Sequence, residues 1–385
     1  MRGLLPWILA GCALAQAPEE LLRQVQARML DNLLNQPNYT CLETVERTRQ
    51  SPGGGQHMED TIRLEVAVVD GKEMFAWPGA KQFEDKELRE VVSTGMFGNG
   101  NYALYARMIF GGGGPRLVYG GESAIGGTGV ARFDFEARAP RSGYYLRVDE
   151  HKMLVGFHGS AYVDLATGDL RRLEIAAQDI PTELRLTAAE DRVEYARVVI
   201  GDEEFLLPTE SALMMAGPDQ VSRNRTRFSA CRKFTGESAL MFDDPEMTEV
   251  RAPEVVEDVA VPRDVLLSLE IRSDLRLAEA AVGDVVEAVL RGDLKQGKVK
   301  VVPKGSTVKG RIVQLDRWDR YVELVIRFTD IEWPGHHAEV RAKFERRAMV
   351  QPRYANVQGA EGAIVLTAPV PKTLKGEMLL YRTER

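Results

Sequence analysis

Every second residue is apolar in two stretches of this chain, 62–68 and 131–136, where polar or small residues stand between the apolar ones. A period of two predicts β-strands with one buried face and one wet face. Short turns such as Asp70-Gly71 and Ala166–Asp169 separate many such segments, which is typical of an antiparallel meander. The pattern predicts strands at Cys41–Arg49, Ile62–Val68, Lys72–Trp77, Ala131–Glu136, Tyr144–Val148, Met153–His158, Ala161–Asp164, Leu170–Ile175, Val193–Ile200, Glu204–Leu207 and Arg223–Phe234.

Helical spacing occurs mainly before and within the early part of this meander. Pro18–Gln36 carries leucine, valine and methionine residues every three or four positions, and Pro37 ends the predicted helix. Shorter helices are predicted at Lys86–Val92 and at Tyr102–Phe110, and we expect Asn101 to cap the second of them. An amphipathic helix of this kind buries its apolar stripe against a sheet.

A second series of strands begins near residue 264, after a segment (243–263) that contains three prolines and seven acidic residues. Proline and like charge keep such a segment extended, so we interpret it as a linker. Strands are predicted at Val265–Ile271, Asp284–Leu290, Lys298–Val302, Thr307–Leu315, Tyr321–Ile331, His337–Phe344, Ala363–Thr367 and Met378–Tyr381.

The predicted fold class is mainly β with a few helices (α+β). The expected parts are a signal peptide at 1–17, an antiparallel half-barrel with helices at 18–242, a linker at 243–263, and a small all-β barrel or sandwich at 264–385. A length of 385 residues agrees with two domains. The formal net charge of −7 argues against a protein that grips nucleic acid by its bulk charge.

The first seventeen residues indicate export. Arg2 precedes an apolar run at 4–14 that is too short to span a bilayer, and small residues follow it. Cleavage after Ala15 is the favoured interpretation. The alternative is that Leu9–Cys12 is a lipobox, in which case Cys12 is lipidated and the protein is attached to the outer membrane. Both routes lead to the periplasm or cell envelope, and we expect no transmembrane span in the mature chain.

Two cysteines remain beyond Cys12, namely Cys41 in the first predicted strand and Cys231 in the last strand of the meander. An exported chain folds in an oxidising compartment, so we predict a disulfide between them. The alternative is a pair of buried free thiols.

The segment Tyr162–Gly168, reading YVDLATG, is followed by Arg171, Arg172 and Glu174. It resembles the aromatic-x-Asp-x-x-Thr-Gly hairpin of the LolA-like family, the periplasmic lipoprotein carriers, and so does the order of export signal, helix, strands, helices and meander. The resemblance covers about residues 18–240. It implies a half-barrel whose concave apolar face holds acyl chains. The disulfide and the second domain depart from that family's pattern.

The second domain carries a further resemblance. Val282-Gly283-Asp284, Ala288 and the run Pro303–Ile312 are similar to the TrbI-like β-domain of conjugation and secretion scaffolds. This resemblance implies an assembly module that docks a protein partner in the envelope.

Candidate catalytic and metal-binding groups are sparse. His336 and His337 are adjacent but fall in a turn, and a structural zinc needs four ligands. Asp149–His151 is interpreted as a solvated turn, and residues 292–299 lack the hydroxyl and the helix of a phosphate-binding loop. We therefore predict no catalytic residue, no metal and no cofactor. Apolar residues at 205–215 are interpreted as core.

These observations lead to one functional hypothesis and one alternative. The first is a non-enzymatic bacterial envelope protein that binds a lipid, an acyl chain or a lipoprotein through the N-terminal half-barrel, with ligand-binding residues unknown. The second is an envelope scaffold or sensor that acts by protein–protein contacts, with the half-barrel filled by its own core.

Overall fold

The computed structural model describes residues 18–80, 83, 88, 102–148, 151–234, 257–318, 321–347, 362–367 and 369–384. Strands dominate this part of the chain and nearly all pair antiparallel, which confirms the predicted fold class. Three α-helices lie within it, and they are α1 (Pro18–Asn35), α2 (Tyr102–Phe110) and α3 (Ala139–Ser142). The helix predicted at Lys86–Val92 lies outside the described residues except for Leu88, and so does the cap residue Asn101.

The N-terminal part folds into an eleven-stranded sheet that curls into a half-barrel. Its strands are β1 (Tyr39–Gln50), β2 (Gln56–Val69), β3 (Lys72–Ala76), β4 (Val118–Ile125), β5 (Thr128–Ala137), β6 (Tyr144–Val148), β7 (His151–Asp164), β8 (Leu170–Gln178), β9 (Ala188–Ile200), β10 (Glu203–Ala216) and β11 (Val221–Lys233). The order is β3-β2-β1-β11-β10-β9-β8-β7-β5-β4, and β6 pairs with β7. The first strand therefore lies beside the last.

The sequence pattern located most of these strands but shortened several. Met153–His158 and Ala161–Asp164 are one continuous strand, because Gly159 and Ser160 remain in the ladder opposite β5 and β8. Likewise Glu204–Leu207 is only the start of β10. Strand β4 was not predicted, since its glycines and exposed side chains leave little apolar alternation.

Helix α1 packs its apolar stripe on one face of this sheet. Its buried residues Leu21, Val25, Met29 and Leu33 belong to one core cluster with α2 and strands β5 to β10. The periodicity predicted this stripe, although Leu34 on the same helix is 72% exposed. The face that α1 and α2 pack against is called the covered face below, and the opposite face is called the open face.

The C-terminal part forms a second, nine-stranded sheet and a small hairpin. Its strands are β12 (Glu257–Asp258), β13 (Leu266–Ile271), β14 (Val285–Leu290), β15 (Leu294–Gln296), β16 (Val299–Val302), β17 (Thr307–Trp318), β18 (Tyr321–Trp333), β19 (His336–Glu339), β20 (Ala342–Arg347), β21 (Ile364–Thr367) and β22 (Met378–Thr383). Strands β19 and β20 lie near opposite ends of the strand order, yet two residues connect them. The sheet must therefore curl back on itself as a barrel does.

Two details of this second sheet differ from the sequence pattern. His337–Phe344 is split into β19 and β20, which pair with different strands. Glu257 and Asp258, at the end of the segment interpreted as a linker, pair in parallel with His336 and His337. The end of that segment is therefore part of the C-terminal sheet.

The two sheets meet on β2 just before the residues that pair with β3. Val282 and Ile62 form a parallel bridge, with Arg63 N donating to Val282 O and Val282 N to Thr61 O, both at 2.8 Å. Gly283 approaches Arg63 and Trp77 so closely that a Cβ there would collide with both. One buried apolar cluster runs from β1 and β2 through this bridge into the C-terminal barrel.

Candidate functional site

The seam between the first and last strands of the half-barrel is closed by a covalent bond. Cys41 on β1 and Cys231 on β11 form a disulfide, and the two cysteines are 190 positions apart in the sequence. The register of β1 against β11 shifts at this point, and Ala230 takes a left-handed conformation with φ of 48°. The disulfide prediction is thus confirmed, whereas Cys12 lies outside the described residues.

The covered face carries polar side chains close to this seam, within an otherwise apolar layer. Val45 on β1 pairs with Thr226 on β11, Thr226 pairs with Ser211 on β10, and Ser211 pairs with Val193 on β9. Direct cross-strand partners share a face, and so do residues two apart on one strand. Glu43 and Asp191 therefore join them, and together Glu43, Thr226, Ser211 and Asp191 make a diagonal line over four neighbouring strands, here called the polar row.

All four members of the polar row are withdrawn from solvent, with relative exposures of 1% for Glu43, 1% for Thr226, 2% for Ser211 and 3% for Asp191. Helix α2 reaches the end of the row, where Tyr105 Oη donates to Asp191 Oδ2 at 3.0 Å. Four other atoms of the row find no hydrogen-bond partner within the described part of the chain, namely Glu43 Oε2, Asp191 Oδ1, Ser211 Oγ and Thr226 Oγ1. Buried polar atoms are usually paired, so these four mark unused hydrogen-bonding capacity.

Burial changes the acidity of both carboxyl groups in the row. Burial raises the pKa of Glu43 to about 8. Burial also raises the pKa of Asp191 to about 7, while the hydrogen bond from Tyr105 lowers it in part. Near neutral pH Glu43 is therefore held mostly as a neutral acid and Asp191 in part, and a neutral carboxyl group can both donate and accept hydrogen bonds.

An ion pair lies next to the row on the same face. Arg47 on β1 is 1% exposed and makes a two-armed ion pair with Asp60 on the neighbouring strand β2. Arg47 is also the direct cross-strand partner of the buried Asn224 on β11. The pKa of Glu43 is raised by burial although this guanidinium lies on the same strand.

The open face of the same sheet bears charged side chains around a groove of about 1120 Å³. Met58 on β2 and His158 on β7 both line it, and five strands lie between these two in the sheet. The side chains that line this charged groove include Glu46, Glu174, Glu190, Arg192, Glu194, Glu210, Arg223 and Arg225.

Ion pairs connect the charged groove from strand to strand. Arg172 Nε lies 2.7 Å from Glu194 Oε1, and Arg225 Nη2 lies 3.1 Å from Glu210 Oε2. Arg227 on β11 lies 3.6 Å from Glu46 on β1. The resemblance implied an apolar face that holds acyl chains; the apolar face of this sheet is the one beneath the helices, and the open face is charged.

The remaining sequence candidates fall into structural roles. In the Tyr162–Gly168 motif, Asp164 Oδ1 accepts from Ala166 N and Thr167 N, which fixes the β7–β8 turn. Residues 292–299 form the turn and strands of the small β15–β16 hairpin. His151 begins β7, whereas Asp149 and Glu150 lie outside the described residues.

The two adjacent histidines lie at the start of β19. His337 places Nδ1 3.1 Å from Asp258 and Nε2 2.9 Å from Asp330. The hydrogen bond to Asp330 and the one to Asp258 raise the pKa of His337. This histidine therefore ties the end of the linker segment to the barrel.

Within the described ranges, no cluster of three or more potential metal-ligating side chains occurs. The helices described there include none that is long and apolar enough to cross a membrane.

The polar row escaped the sequence analysis. Its residues alternate with polar residues on the other face, so the period gives no sign of which set is buried. The sequence does show that Glu43 lies between Cys41 and Val45 at every second position of β1, which places all three on one face of the strand. If the two apolar residues are buried, Glu43 is expected to be buried with them.

Comparison with known proteins gives distant structural likenesses. No family model and no curated protein matches the chain. A DUF1329 family protein from Desulfovibrio piger is 12% identical with a TM-score of 0.31, over 56% of this chain and 92% of that one. A domain described as a candidate outer membrane lipoprotein-sorting protein from Vibrio parahaemolyticus is 10% identical with a TM-score of 0.32, over 56% and 93%. At these TM-scores neither likeness decides a family or a function.

Proposed function

We propose that the protein is a non-enzymatic envelope protein that binds a lipid, an acyl chain or a lipoprotein through the covered face of its half-barrel. The observation that supports this best is the polar row inside an apolar layer. A core that serves stability alone pairs its buried polar atoms. A binding site for an amphiphile needs an apolar wall together with a few placed polar groups.

The apolar part of the proposed site lies directly beside the polar row. Val193 and Leu213 stand next to row residues on β9 and β10 and belong to the cluster that α1 and α2 cover. Two amphipathic helices over a continuous apolar sheet face form a layer in which hydrocarbon is removed from water. In this proposal the ligand enters between the helices and the sheet.

The compartment is the second support. A disulfide between strands distant in sequence is typical of proteins that fold in an oxidising environment such as the periplasm. An exported binding protein of this kind meets lipids and lipoproteins in the envelope.

Native mass spectrometry tests the proposal directly. The full-length protein is purified from its own host after mild extraction and measured before and after treatment with organic solvent. We expect an acyl-containing mass adduct that the solvent removes and that added liposomes restore. Protein that carries no adduct and takes none up from liposomes contradicts the proposal.

The C-terminal barrel is proposed to dock a protein partner. Trp318 at the end of β17 is 48% exposed, and its ring stacks on Tyr321 at the start of β18 with centroids 5.8 Å apart. Exposed aromatic residues are enriched at protein interfaces. We expect the original protein to capture an envelope protein in a pull-down. The variant Trp318→Ala should lose this capture, whereas Val299→Ala on the β15–β16 hairpin should keep it.

The scaffold is the second candidate, and one observation favours it. Among the described residues, α1 and α2 already cover the apolar face with their own side chains. In that case solvent extraction leaves the melting temperature unchanged, and the biological effect of the protein depends on residues 264–385. Loss of stability on lipid extraction would instead favour the binding protein.

A further inference from the structure

The polar row differs from an ordinary buried network in the chemistry that it leaves unused. Thr226 and Ser211 are direct cross-strand partners, a position in which Cβ atoms lie about 5 Å apart. Among the residues that the structure describes, neither hydroxyl has a hydrogen-bond partner, and one carboxyl oxygen on each side of them also lacks one. The result is a line of four unfilled donor or acceptor positions along one diagonal.

We propose that this line binds the uncharged polar head of an acylated ligand, through hydrogen bonds from Glu43, Thr226, Ser211 and Asp191 to ester, amide or hydroxyl groups. This inference rests on the proposed function and names the ligand class for the same site. A neutral acylglycerol and the acylated anchor of a lipoprotein both present such groups.

The charges around the row disfavour an anionic head. Glu43 and Asp191 belong to the row itself, Glu73 is close enough to influence Tyr39 and Tyr195 electrostatically, and Asp60 engages the nearby Arg47. A carboxylate or phosphate head would lie among these acids, and the guanidinium of the neighbouring Arg47 is already paired with Asp60. Burial of such a charge without a partner costs far more than burial of a paired one.

A cationic head is disfavoured for a different reason. It would have to ionise a buried carboxyl group and remain with it as an ion pair in an apolar layer. The loss of water from both charges offsets much of their attraction. Two hydroxyls and two buried carboxyl groups, each with an oxygen that lacks a partner among the described residues, instead match a group that both donates and accepts hydrogen bonds.

The acyl part of the ligand has a surface beside the row. Three buried apolar residues lie on the same face as direct cross-strand partners of the row residues. Val45 pairs with Thr226, Val193 with Ser211, and Leu213 with Asp191. The polar head and the chain would thus be held by one continuous surface on four strands.

A matched series of ligands tests the head-group preference. Monoolein, oleate and oleylamine share one hydrocarbon chain and differ in head charge, so differences in affinity report on the head. The full-length protein, freed of bound lipid by solvent extraction and refolding, is titrated with each below its critical micelle concentration by isothermal calorimetry. We expect monoolein to bind about tenfold more tightly than either charged analogue, or better.

Variants locate the effect on the polar row. Thr226→Val and Glu43→Leu are expected to weaken monoolein binding by about three- to tenfold each, because each removes a hydrogen bond to the head. Thr226→Ser keeps the hydroxyl and should bind like the original protein. Glu46→Leu is the control, since Glu46 lies on the same strand but faces the charged groove, where it contacts Arg227.

The possible failures are distinguishable. If all three amphiphiles bind equally and the row variants bind as the original protein does, the head-group inference is overturned while acyl binding stands. If none of the amphiphiles binds to protein whose melting curve shows a folded state, the proposed function fails as well. Preferred binding of oleate or oleylamine would overturn the inference in favour of a charged head.

Discussion

Arg63 on β2 places its Nη1 atom 2.6 Å from both carboxylate oxygens of Asp284, which lies 221 residues later in the C-terminal barrel. Its Nη2 atom donates to Glu279 O at 2.8 Å. Both side chains are partly withdrawn from water, with exposures of 29% and 18%. This ion pair lies directly beside the Ile62–Val282 bridge, so the two sheets are joined by backbone and side chain at one place.

Removal of this ion pair is expected to weaken the junction. Arg63→Met should lower the free energy of unfolding by about 2 kcal/mol, because a charge-assisted hydrogen-bond pair that is partly buried is lost. Urea unfolding of Arg63→Met, Asp284→Asn and the double variant gives the coupling energy. Arg49→Met is the control, since Arg49 pairs with Glu59 at the surface and should change stability by less than about 1 kcal/mol. A coupling energy near zero would contradict the assigned role.

Gly283 offers an independent test of the same junction. Its φ of 98° is strained for any other residue, and a Cβ would collide with the carbonyl oxygen of Arg63 and the ring of Trp77. Gly283→Ala should therefore destabilise the protein by about 2 kcal/mol or more and separate the unfolding of the two sheets in calorimetry. At Gly292 no atom lies within 4 Å of a Cβ, so Gly292→Ala is the control and should unfold like the original protein.

The disulfide is expected to contribute strongly to the stability of the half-barrel. A crosslink that spans 190 residues restricts the unfolded chain and is worth about 5 kcal/mol in the chain-entropy model. Cys231→Ser should lower the melting temperature in non-reducing buffer, and dithiothreitol should lower that of the original protein to a similar value. If the reductant raises the free-thiol count by two and leaves the melting temperature unchanged, the crosslink has no such role.

Sequence patterns located the elements of this fold better than their meeting points. The spacing of apolar residues predicted the buried stripe on α1 and the strand at 62–68. The expected export of the chain predicted the disulfide between the two distant cysteines, and the structure has all three. The pairing of Arg63 with Asp284 has no such signal, because a charged residue on a strand looks the same in the sequence whether it meets water or another domain.

The polar row shows the same limit from another side. Strand β1 alternates two sets of residues, and each set contains polar members, so the period alone does not say that Glu43 points inward. Only the pairing of β1 with β11, fixed by residues nearly two hundred positions apart, brings Glu43 beside Thr226. Non-local packing therefore decides which polar residues can form a site.

The buried carboxyl groups predict how stability depends on pH. The pKa of Glu43 is raised to about 8, and burial also raises that of Asp191 to about 7 and that of Glu65 to about 7. At a pH between the ordinary pKa of a carboxyl group and these raised pKa values, the three groups stay protonated in the folded state and are ionised in the unfolded state. Stability must therefore fall as pH rises through this window, by at most about 1.4 kcal/mol per pH unit for each group.

Glu43→Gln isolates one of these contributions. The amide cannot ionise, so the variant should lose less stability than the original protein between about pH 5 and about pH 8 and should be the more stable of the two at the upper end. Urea unfolding at a series of pH values measures both slopes. Thr226→Val, a neighbour that does not titrate, should change stability by a similar amount at every pH. Parallel pH profiles for Glu43→Gln and the original protein would show that Glu43 does not hold its proton in the folded state.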